Sequence, residues 1–247
     1  MDTWIVTGAS RGIGAAIARM AAARGHSVAV NYAADRVAAD SVVASIREAG
    51  GRASAIRADV SREADVLRLF ETAERELGTP AVLVNNAAIT GGFARVEEVT
   101  EELLARVFAV NVTGAFLCAR EAVRRMSTRR GGRGGAIVNI SSRAAAIGSA
   151  GEWVHYAATK GAIDTFTVGL GREVAAEGIR VNAVAAGLVE TGMHSAAGAP
   201  DRPARMAPGI PIARSAQPEE IAEAVIWLAS PAASYATGTV LAVSGGR

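Results

Sequence analysis

Tyr156 and Lys160 are the pair of side chains in this sequence that is best suited to acid–base chemistry. Residues at positions i and i+4 share one face of a helix, so the ammonium group would stand beside the phenol. A free tyrosine ionises near pH ~10, and a neighbouring cation lowers that pKa by stabilising the phenolate. The pair therefore predicts a proton donor and acceptor, which carbonyl reduction or alcohol oxidation needs besides a hydride carrier.

Lys160 is also the one lysine among the 26 lysine and arginine residues of the chain. The composition is rich in Arg and Ala, as a GC-rich coding bias would produce. Such a bias replaces lysine by arginine where chemistry permits, so a chemical requirement for lysine would explain why this one is present. Arginine keeps its proton and presents a wide fork, whereas lysine is a compact charge with three donors. Chance survival of a single lysine is the alternative.

A glycine-rich loop near the start of the chain predicts a phosphate site. Gly8, Gly12 and Gly14 lie in the stretch TGASRGIG, directly after an apolar run and before a helical pattern. Such a strand-to-helix turn needs positive φ, and the missing Cβ atoms let the backbone approach a pyrophosphate. The N–H groups at the start of the helix would then point at the anion. A purely structural glycine turn is the alternative.

Apolar runs and helical patterns alternate along the rest of the chain. We predict strands at residues 3–7, 27–31, 53–58, 81–84, 136–141, 180–184 and 239–243. We predict helices at residues 12–24, 35–49, 62–77, 101–126, 154–177 and 218–229. This alternation predicts an α/β fold, a single-domain doubly wound Rossmann fold over residues 1–247, with a parallel seven-stranded sheet covered by helices on both faces.

Composition narrows the class of protein further. The sequence has no run of 18 or more apolar residues, so we predict no membrane helix. Cys118 is the single cysteine, and we expect a cytoplasmic protein. The net charge of +2 does not call for a nucleic-acid partner. The arginines around the stretch RRGGRGG could form an RNA-binding tract, but a solvated loop is the simpler interpretation. The three His and one Cys lack metal-ligand spacing, so we predict no metal site.

The ordered motifs resemble those of the classical short-chain dehydrogenase/reductase family, in particular bacterial 3-oxoacyl-carrier-protein reductases and glucose-dehydrogenase-like enzymes. The resemblance covers essentially the whole chain. It rests on the glycine loop, on Asp59, on an NNAA stretch at residues 85–88, on Asn111, Ser142, Tyr156 and Lys160, and on residues 186–191. Two positions depart from the family pattern, because Ala88 stands where Gly is usual and Ala186 where Pro is usual. These changes put cofactor affinity and loop geometry in question, but they remove no reacting group.

The resemblance implies an oxidoreductase that transfers hydride between NADP(H) and a carbonyl or secondary alcohol. Tyr156 would act as acid/base, and Lys160 would assist it and hold the nicotinamide ribose. Ser142, with Ser141 as competitor, would hydrogen-bond the substrate oxygen, and Asn111 would hold a water in a proton relay to Lys160. The implied cofactor-binding residues are Gly8, Ser10, Arg11, Gly12, Ile13, Gly14, Asn31, Asp59, Val60, Asn86, Ala87, Tyr156, Lys160, Gly187, Val189 and Thr191.

NADP is expected rather than NAD. An NAD enzyme usually carries a carboxylate at the end of the second strand, where it binds the ribose 2′-hydroxyl. Here Asn31 and then Tyr32 occupy that place, so we expect no carboxylate to repel a 2′-phosphate. Arg11 could pair with that phosphate; an exposed loop charge is the alternative.

The substrate itself is not identified by the sequence. We predict a pocket near residues 144–153 and 90–95, covered by a mobile lid at residues 188–217 with hinges near Gly187 and Gly192. The lid arginines, among them Arg202, could favour an anionic substrate or be solvated charges. The long helices 101–126 and 154–177 predict a homotetramer. A catalytically silent nucleotide-binding regulator of the same fold is the alternative function.

Overall fold

A computed structural model describes residues 2–247 of the chain. Seven strands are present: β1 (Thr3–Val6), β2 (Ser27–Tyr32), β3 (Arg52–Arg57), β4 (Pro80–Asn85), β5 (Gly135–Ser142), β6 (Ile179–Ala186) and β7 (Val240–Val243). Ten α-helices connect or flank them: α1 (Gly12–Ala23), α2 (Arg36–Glu48), α3 (Glu63–Leu77), α4 (Glu101–Phe108), α5 (Gly114–Met126), α6 (Ala144–Ile147), α7 (Val154–Val174), α8 (Gly192–Ala196), α9 (Arg202–Met206) and α10 (Pro218–Ala229). The strands and long helices lie within a few residues of their predicted positions.

The strands form one sheet in the order β3-β2-β1-β4-β5-β6-β7, and every neighbouring pair is parallel. The predicted doubly wound seven-stranded fold is therefore confirmed. The direction of winding reverses between β1 and β4, so the loops that follow these two strands separate and leave a crevice. Ligands of open α/β sheets bind in such a crevice at the carboxyl ends of the strands.

The apolar side chains of the sheet divide between two cores. In β1, Trp4 and Val6 belong to the core that α1, α2 and α10 cover, whereas Ile5 belongs to the core under α3 and α5. Successive strand residues point to opposite faces, so a short, fully apolar strand can feed both cores at once. This two-sided burial fixes the strand ends, and with them the loops that carry the candidate site.

The predicted helix at residues 101–126 is continuous but not uniform. Its ends are as predicted, yet residues Ala109–Thr113 form a π-helical segment between α4 and α5. A π segment widens one turn of a helix and is frequent at functional sites. Glu101–Met126 has no unbroken run of 18 apolar residues, yet it is long and apolar enough to cross a membrane by length and composition alone, with a mean hydropathy of 1.5 over an 18-residue window. In this fold it packs on β4, α3 and α7, as a sheet-covering helix does.

The segment after β6 is more ordered than its weak periodicity indicated. It contains α8, α9 and a short 3₁₀ turn, and Leu188, Val189 and Ile210 are buried. A bridge between Val189 and Ala216 ties its two ends together. A Cβ at the expected hinge glycine Gly187 would lie 2.7 Å from Ser244 Cα, and the hinge stays a prediction. Close packing explains that glycine, so conformational freedom is not needed to account for it.

Candidate active site

A cavity of about 840 Å³ opens at the carboxyl ends of the strands. Its size is within the usual range of ligand pockets. All of the site residues expected from the sequence line it, except Gly14 and Asn111. The fold therefore brings the glycine loop, the NNAA stretch, Ser142, Tyr156 and Lys160 to one surface.

The glycine loop has the geometry that its spacing predicted. Gly8 and Gly12 have φ values of +61° and +53°, which side chains with a Cβ rarely adopt. A Cβ at Gly8 would lie 2.9 Å from Ala87 Cα, and one at Gly14 would lie 2.5 Å from Asn86 Nδ2. Asn86 Nδ2 donates to the Thr7 and Gly8 carbonyls at 2.8 and 3.0 Å. Asn86 therefore holds the loop in place, and Gly14 lies behind it, outside the cavity lining.

Asn31 is the last residue but one of β2, which ends one residue later than predicted. Its side chain is buried; Oδ1 accepts from Gly8 N at 3.1 Å, and Nδ2 donates to the Ala58 carbonyl at 3.0 Å. These bonds tie β2 to the glycine loop and to the end of β3. The amide is thus used for support, although Asn31 contributes to the cavity wall.

A carboxylate does stand near the end of β2, contrary to expectation. Asp35 caps α2 by accepting from Ala38 N at 3.0 Å, and its other oxygen lies 3.4 Å from Arg11 Nη2. Asp35 and Arg11 both line the cavity and are substantially exposed. The sequence carried a signal for this residue, because Asp directly before a helical pattern is a common N-cap. Arg11 therefore has a competing anion beside it.

Tyr156 and Lys160 meet as their spacing predicted. Both lie on α7 and are buried, and Lys160 Nζ lies 5.5 Å from the Tyr156 ring centroid. Lys160 Nζ donates to the Ile140 carbonyl on β5 at 2.7 Å, which fixes its position under the pocket floor.

The pKa of Tyr156 differs from the expectation. Burial raises the pKa of Tyr156 to about 12, and the Ser142 hydroxyl and the Arg202 charge only partly oppose this effect. Burial also lowers the pKa of Lys160 to about 8, against the pull of Asp164. Desolvation penalises the charged form of both groups, so it outweighs the cation that was expected to favour phenolate.

Ser141 and Ser142 have different surroundings. Ser141 is buried and donates a hydrogen bond to Asp164, which lies one turn beyond Lys160 on α7. Ser142 Oγ accepts from Ala144 N at 3.1 Å and interacts with the Tyr156 hydroxyl. The geometry favours Ser142 as the substrate-binding hydroxyl and assigns Ser141 to Asp164.

No hydrogen bond joins Asn111 to Lys160. Its Oδ1 accepts from Ile89 N, and its Nδ2 donates to the Ile89 carbonyl and to Thr159 Oγ1, at 2.9, 2.9 and 3.1 Å. These bonds fix the amide, while its oxygen keeps one lone pair, so the water relay stays a prediction. A separate cavity of about 10 Å³ does lie between Asn111 and Lys160, and this is close to the minimum for one water molecule.

The wall above Tyr156 is aromatic. Trp153 contacts Tyr156 edge-on with ring centroids 6.0 Å apart, and it lies 4.9 Å from Phe93 and 6.1 Å from His194. His155 points away, because its Nε2 lies 2.7 Å from the Thr90 carbonyl oxygen. Trp153 and His194 line the cavity, so an apolar substrate body would pack against these two rings, with Phe93 supporting Trp153 from outside the lining.

Arg202 is the residue that sequence reasoning placed least well. It is only 3% exposed, so it is not a solvated lid charge. Its Nη2 and Nε donate to the Glu152 carboxylate at 2.6 and 3.3 Å, and its Cζ lies 4.5 Å from the Trp153 ring centroid. The pair fastens α9 to the loop before α7.

The arginine-rich segment formed by the last turn of α5 and the loop before β5 is tied to the protein surface. Arg124 and Arg125 both contact the buried Glu121 at 2.7 Å, and Arg129 lies 3.4 Å from Glu177. These contacts fit the solvated-loop interpretation of the tract. Within residues 2–247, no three His, Cys, Asp or Glu side chains are grouped as metal ligands.

Comparison with known proteins identifies the family. A family model described as Enoyl-(Acyl carrier protein) reductase matches residues 8–247. An uncharacterized oxidoreductase of Escherichia coli (strain K12) is 50% identical over 243 residues, which cover 98% of each chain. A protein named cis-4-hydroxycyclohexanecarboxylate dehydrogenase, from Sinomonas cyclohexanicum, is 44% identical over 98% of this chain and 94% of its own.

Solved structures agree with these relatives. A crystal structure of a dehydrogenase/reductase from Sinorhizobium meliloti 1021 superposes with a TM-score of 0.90 at 35% identity, covering 99% of this chain and 94% of that one. Proteins named as 3-oxoacyl-[acyl-carrier-protein] reductase and glucose 1-dehydrogenase are also among the relatives, so the resemblance stated from the motifs is confirmed. The chain belongs to the short-chain dehydrogenase/reductase family of oxidoreductases.

Proposed function

We propose that this protein is an NADP(H)-dependent oxidoreductase that interconverts a carbonyl and a secondary alcohol, with Tyr156 as its acid/base. The observation that carries the proposal is the convergence of Ser142, Tyr156 and Lys160 with the glycine loop in one cavity. A protein that only binds nucleotide would need no buried phenol and lysine at that place.

The residues present fit a dinucleotide. Cβ atoms at Gly8 and Gly14 would collide with Ala87, Asn86 and the loop itself, so these glycines hold the tight turn between β1 and α1, and Gly8 and Gly12 line the cavity where a pyrophosphate would bind. No side chain caps the start of α1, which leaves its first N–H groups for an anion. Asp59 and Val60 line the same end of the cavity, where an adenine would lie. When bound, the nicotinamide supplies or accepts the hydride.

The chain's own contribution is proton transfer and positioning. A phenol with a pKa near 12 keeps its proton at neutral pH, so Tyr156 can donate it to the alkoxide that forms as a carbonyl is reduced. Ser142 would donate a hydrogen bond to the same oxygen. A protonated Lys160 beneath the ring would stabilise the phenolate left behind. These properties favour carbonyl reduction at neutral pH.

Tyr156→Phe tests this mechanism. The variant should lose turnover of a carbonyl panel by about a thousandfold or more and still bind NADPH with nearly unchanged affinity. Tyr235→Phe is the matched control, because Tyr235 is fully exposed and outside the cavity. Turnover by Tyr156→Phe comparable to that of the wild type would refute the acid/base role. No turnover by the wild type on any carbonyl, with NADPH still bound, would favour the silent regulator.

NADP preference is part of the proposal. Neither Asn31 nor Tyr32 is a carboxylate, and Arg11 lies beside the place where a 2′-phosphate would bind. Asp35 weakens that preference by pairing with Arg11, so some use of NADH is expected. Comparison of kcat/KM for NADPH and NADH decides it, and a preference for NADH would overturn the assignment.

Assembly and location complete the proposal. Leu104, Phe108 and Phe116 on α4 and α5 are large apolar side chains that remain exposed, and the Phe116 ring stacks on Phe166 of α7 at 3.8 Å. Such a face supports a homotetramer in which these helices pair across a two-fold axis.

We further propose one domain over residues 1–247 and a lid at residues 188–217. We also propose a cytoplasmic location, which the buried free thiol of Cys118 suits.

A further inference from the structure

The substrate end of the cavity has an unbalanced positive charge. Arg143, Arg202 and Arg247 line it together with Lys160, whereas the carboxylates in the cavity lining, Asp35 and Asp59, belong to the nucleotide end. Among residues 2–247, no side-chain carboxylate therefore contributes to the wall around Tyr156.

Two of these arginines share one carboxylate. Arg202 is paired with Glu152, which lies behind the wall and does not line the cavity. Burial and the nearby charge of Arg202 lower the pKa of Arg247, while Glu152 acts in the opposite direction. Two arginine side chains close enough to influence each other thus have one side-chain carboxylate, Glu152, near them. A second anion in the cavity would relieve this repulsion.

The Arg202 guanidinium is also preorganised. Glu152 and Trp153 fix its plane, and its hydrogen bonds use Nε and Nη2. Among the described residues, Nη1 has no acceptor, and the side chain lines the cavity. Arg143 Nε donates to the Arg247 backbone oxygen at 2.7 Å, which anchors the third cation. A planar arginine fork matches a carboxylate.

We propose that the substrate is an oxo acid or its hydroxy acid, whose carboxylate binds Arg202 and Arg247 while its carbonyl or hydroxyl lies at Ser142 and Tyr156. The Trp153 and His194 rings, which line the cavity, pack against the hydrocarbon part between the two groups. Arg202 then selects the substrate in addition to fastening α9. This inference rests on the proposed hydride transfer, but it concerns the ligand of that site.

The test uses acids and their neutral esters as matched pairs. We would measure NADPH-dependent reduction of 4-oxopentanoate and 4-oxocyclohexanecarboxylate, each against its methyl ester, with dihydroxyacetone phosphate as a different anion. The wild type should favour at least one acid over its ester by about tenfold or more in kcat/KM. Arg247→Gln should reduce that preference about tenfold, through a higher KM for the acid. Arg202→Gln should also reduce the preference, and because this change releases α9 as well, NADPH binding is measured to check that the variant is folded.

Arg205→Gln is the matched control, because Arg205 is also on α9 but is exposed and outside the cavity. It should keep the acid preference. Equal or better use of the esters, or a preference for the phosphate over both acids, would overturn the proposal. If no compound is reduced, calorimetric binding of the same acids and esters to the NADP-loaded protein decides. If an acid binds more tightly than its ester, and the difference is lost in Arg202→Gln and Arg247→Gln, the anion site is supported although the proposed hydride transfer is not. Equal binding of acid and ester refutes the site.

Discussion

The pH profile of carbonyl reduction is the most direct measure of the Tyr156–Lys160 pair. Burial lowers the pKa of Lys160 to about 8 and raises the pKa of Tyr156 to about 12. Between pH 7 and pH 10, Tyr156 therefore stays protonated, and the group that titrates is Lys160. Loss of the ammonium charge removes the stabilisation of the developing phenolate, so the rate should fall as the pH rises.

The size of the fall follows from the pKa of Lys160. With a pKa of about 8, roughly nine tenths of Lys160 is charged at pH 7 and roughly one tenth at pH 9. If only the charged form is active, kcat should drop by about tenfold between these two values. Steady-state rates under saturating NADPH and ketone give the profile, and a deuteride isotope effect at each pH verifies that hydride transfer is being observed.

A substitution of Asp164 tests whether Lys160 is the titrating group and leaves Tyr156 and Lys160 themselves unchanged. Its charge raises the pKa of Lys160, so Asp164→Asn should move the descending limb to lower pH. An asparagine can still accept the Ser141 hydrogen bond, which limits structural disturbance. Asp40→Asn, at an exposed position on α2, should leave the profile unchanged. A flat profile from pH 7 to pH 10, or a limb that moves upward in Asp164→Asn, would refute the reasoning.

Three further changes test the nucleotide end and the assembly. Asp35→Asn frees Arg11, and because both are exposed, the gain should be about 0.5–1 kcal/mol, or a two- to fivefold lower Kd for NADPH with NADH unchanged. An unchanged ratio of the two constants would contradict this. Gly14→Ala forces a Cβ against Asn86, so fluorescence titration should show NADPH affinity at least about tenfold weaker; wild-type affinity would mean that the loop yields easily. Phe116→Arg should break the tetramer in light scattering without lowering the helical content, and an intact tetramer would exclude that face.

The fold could be predicted because its signals are local. Strand and helix periods repeat over a few residues, and the glycine loop lies directly between β1 and α1. The same locality explains the success of the Tyr156 and Lys160 placement, since one helical turn fixes their neighbourhood. The π segment at Ala109–Thr113 escaped prediction because its sequence has the same apolar pattern as an α-helix.

The burial of Arg202 could not be predicted from the sequence, because the contacts that bury it are not local. Its burial depends on Glu152, fifty positions earlier in the chain, and on the Trp153 ring. An arginine in a stretch rich in Pro, Gly and Ala resembles a solvated charge until the tertiary contacts are known. Asp35 is different, because its capping position was visible in the sequence, and only its distance to Arg11 required the structure.

Burial also changes the protonation state that was expected for Tyr156. A neighbouring cation was expected to favour phenolate, but desolvation acts on both partners and favours the neutral form of each. Burial favours phenol over phenolate and amine over ammonium, and Lys160 therefore loses its charge at lower pH than Tyr156 loses its proton. The protein without ligand is therefore set to give a proton, as reduction requires. Alcohol oxidation must first remove the phenol proton, so it should need higher pH than reduction in the same enzyme.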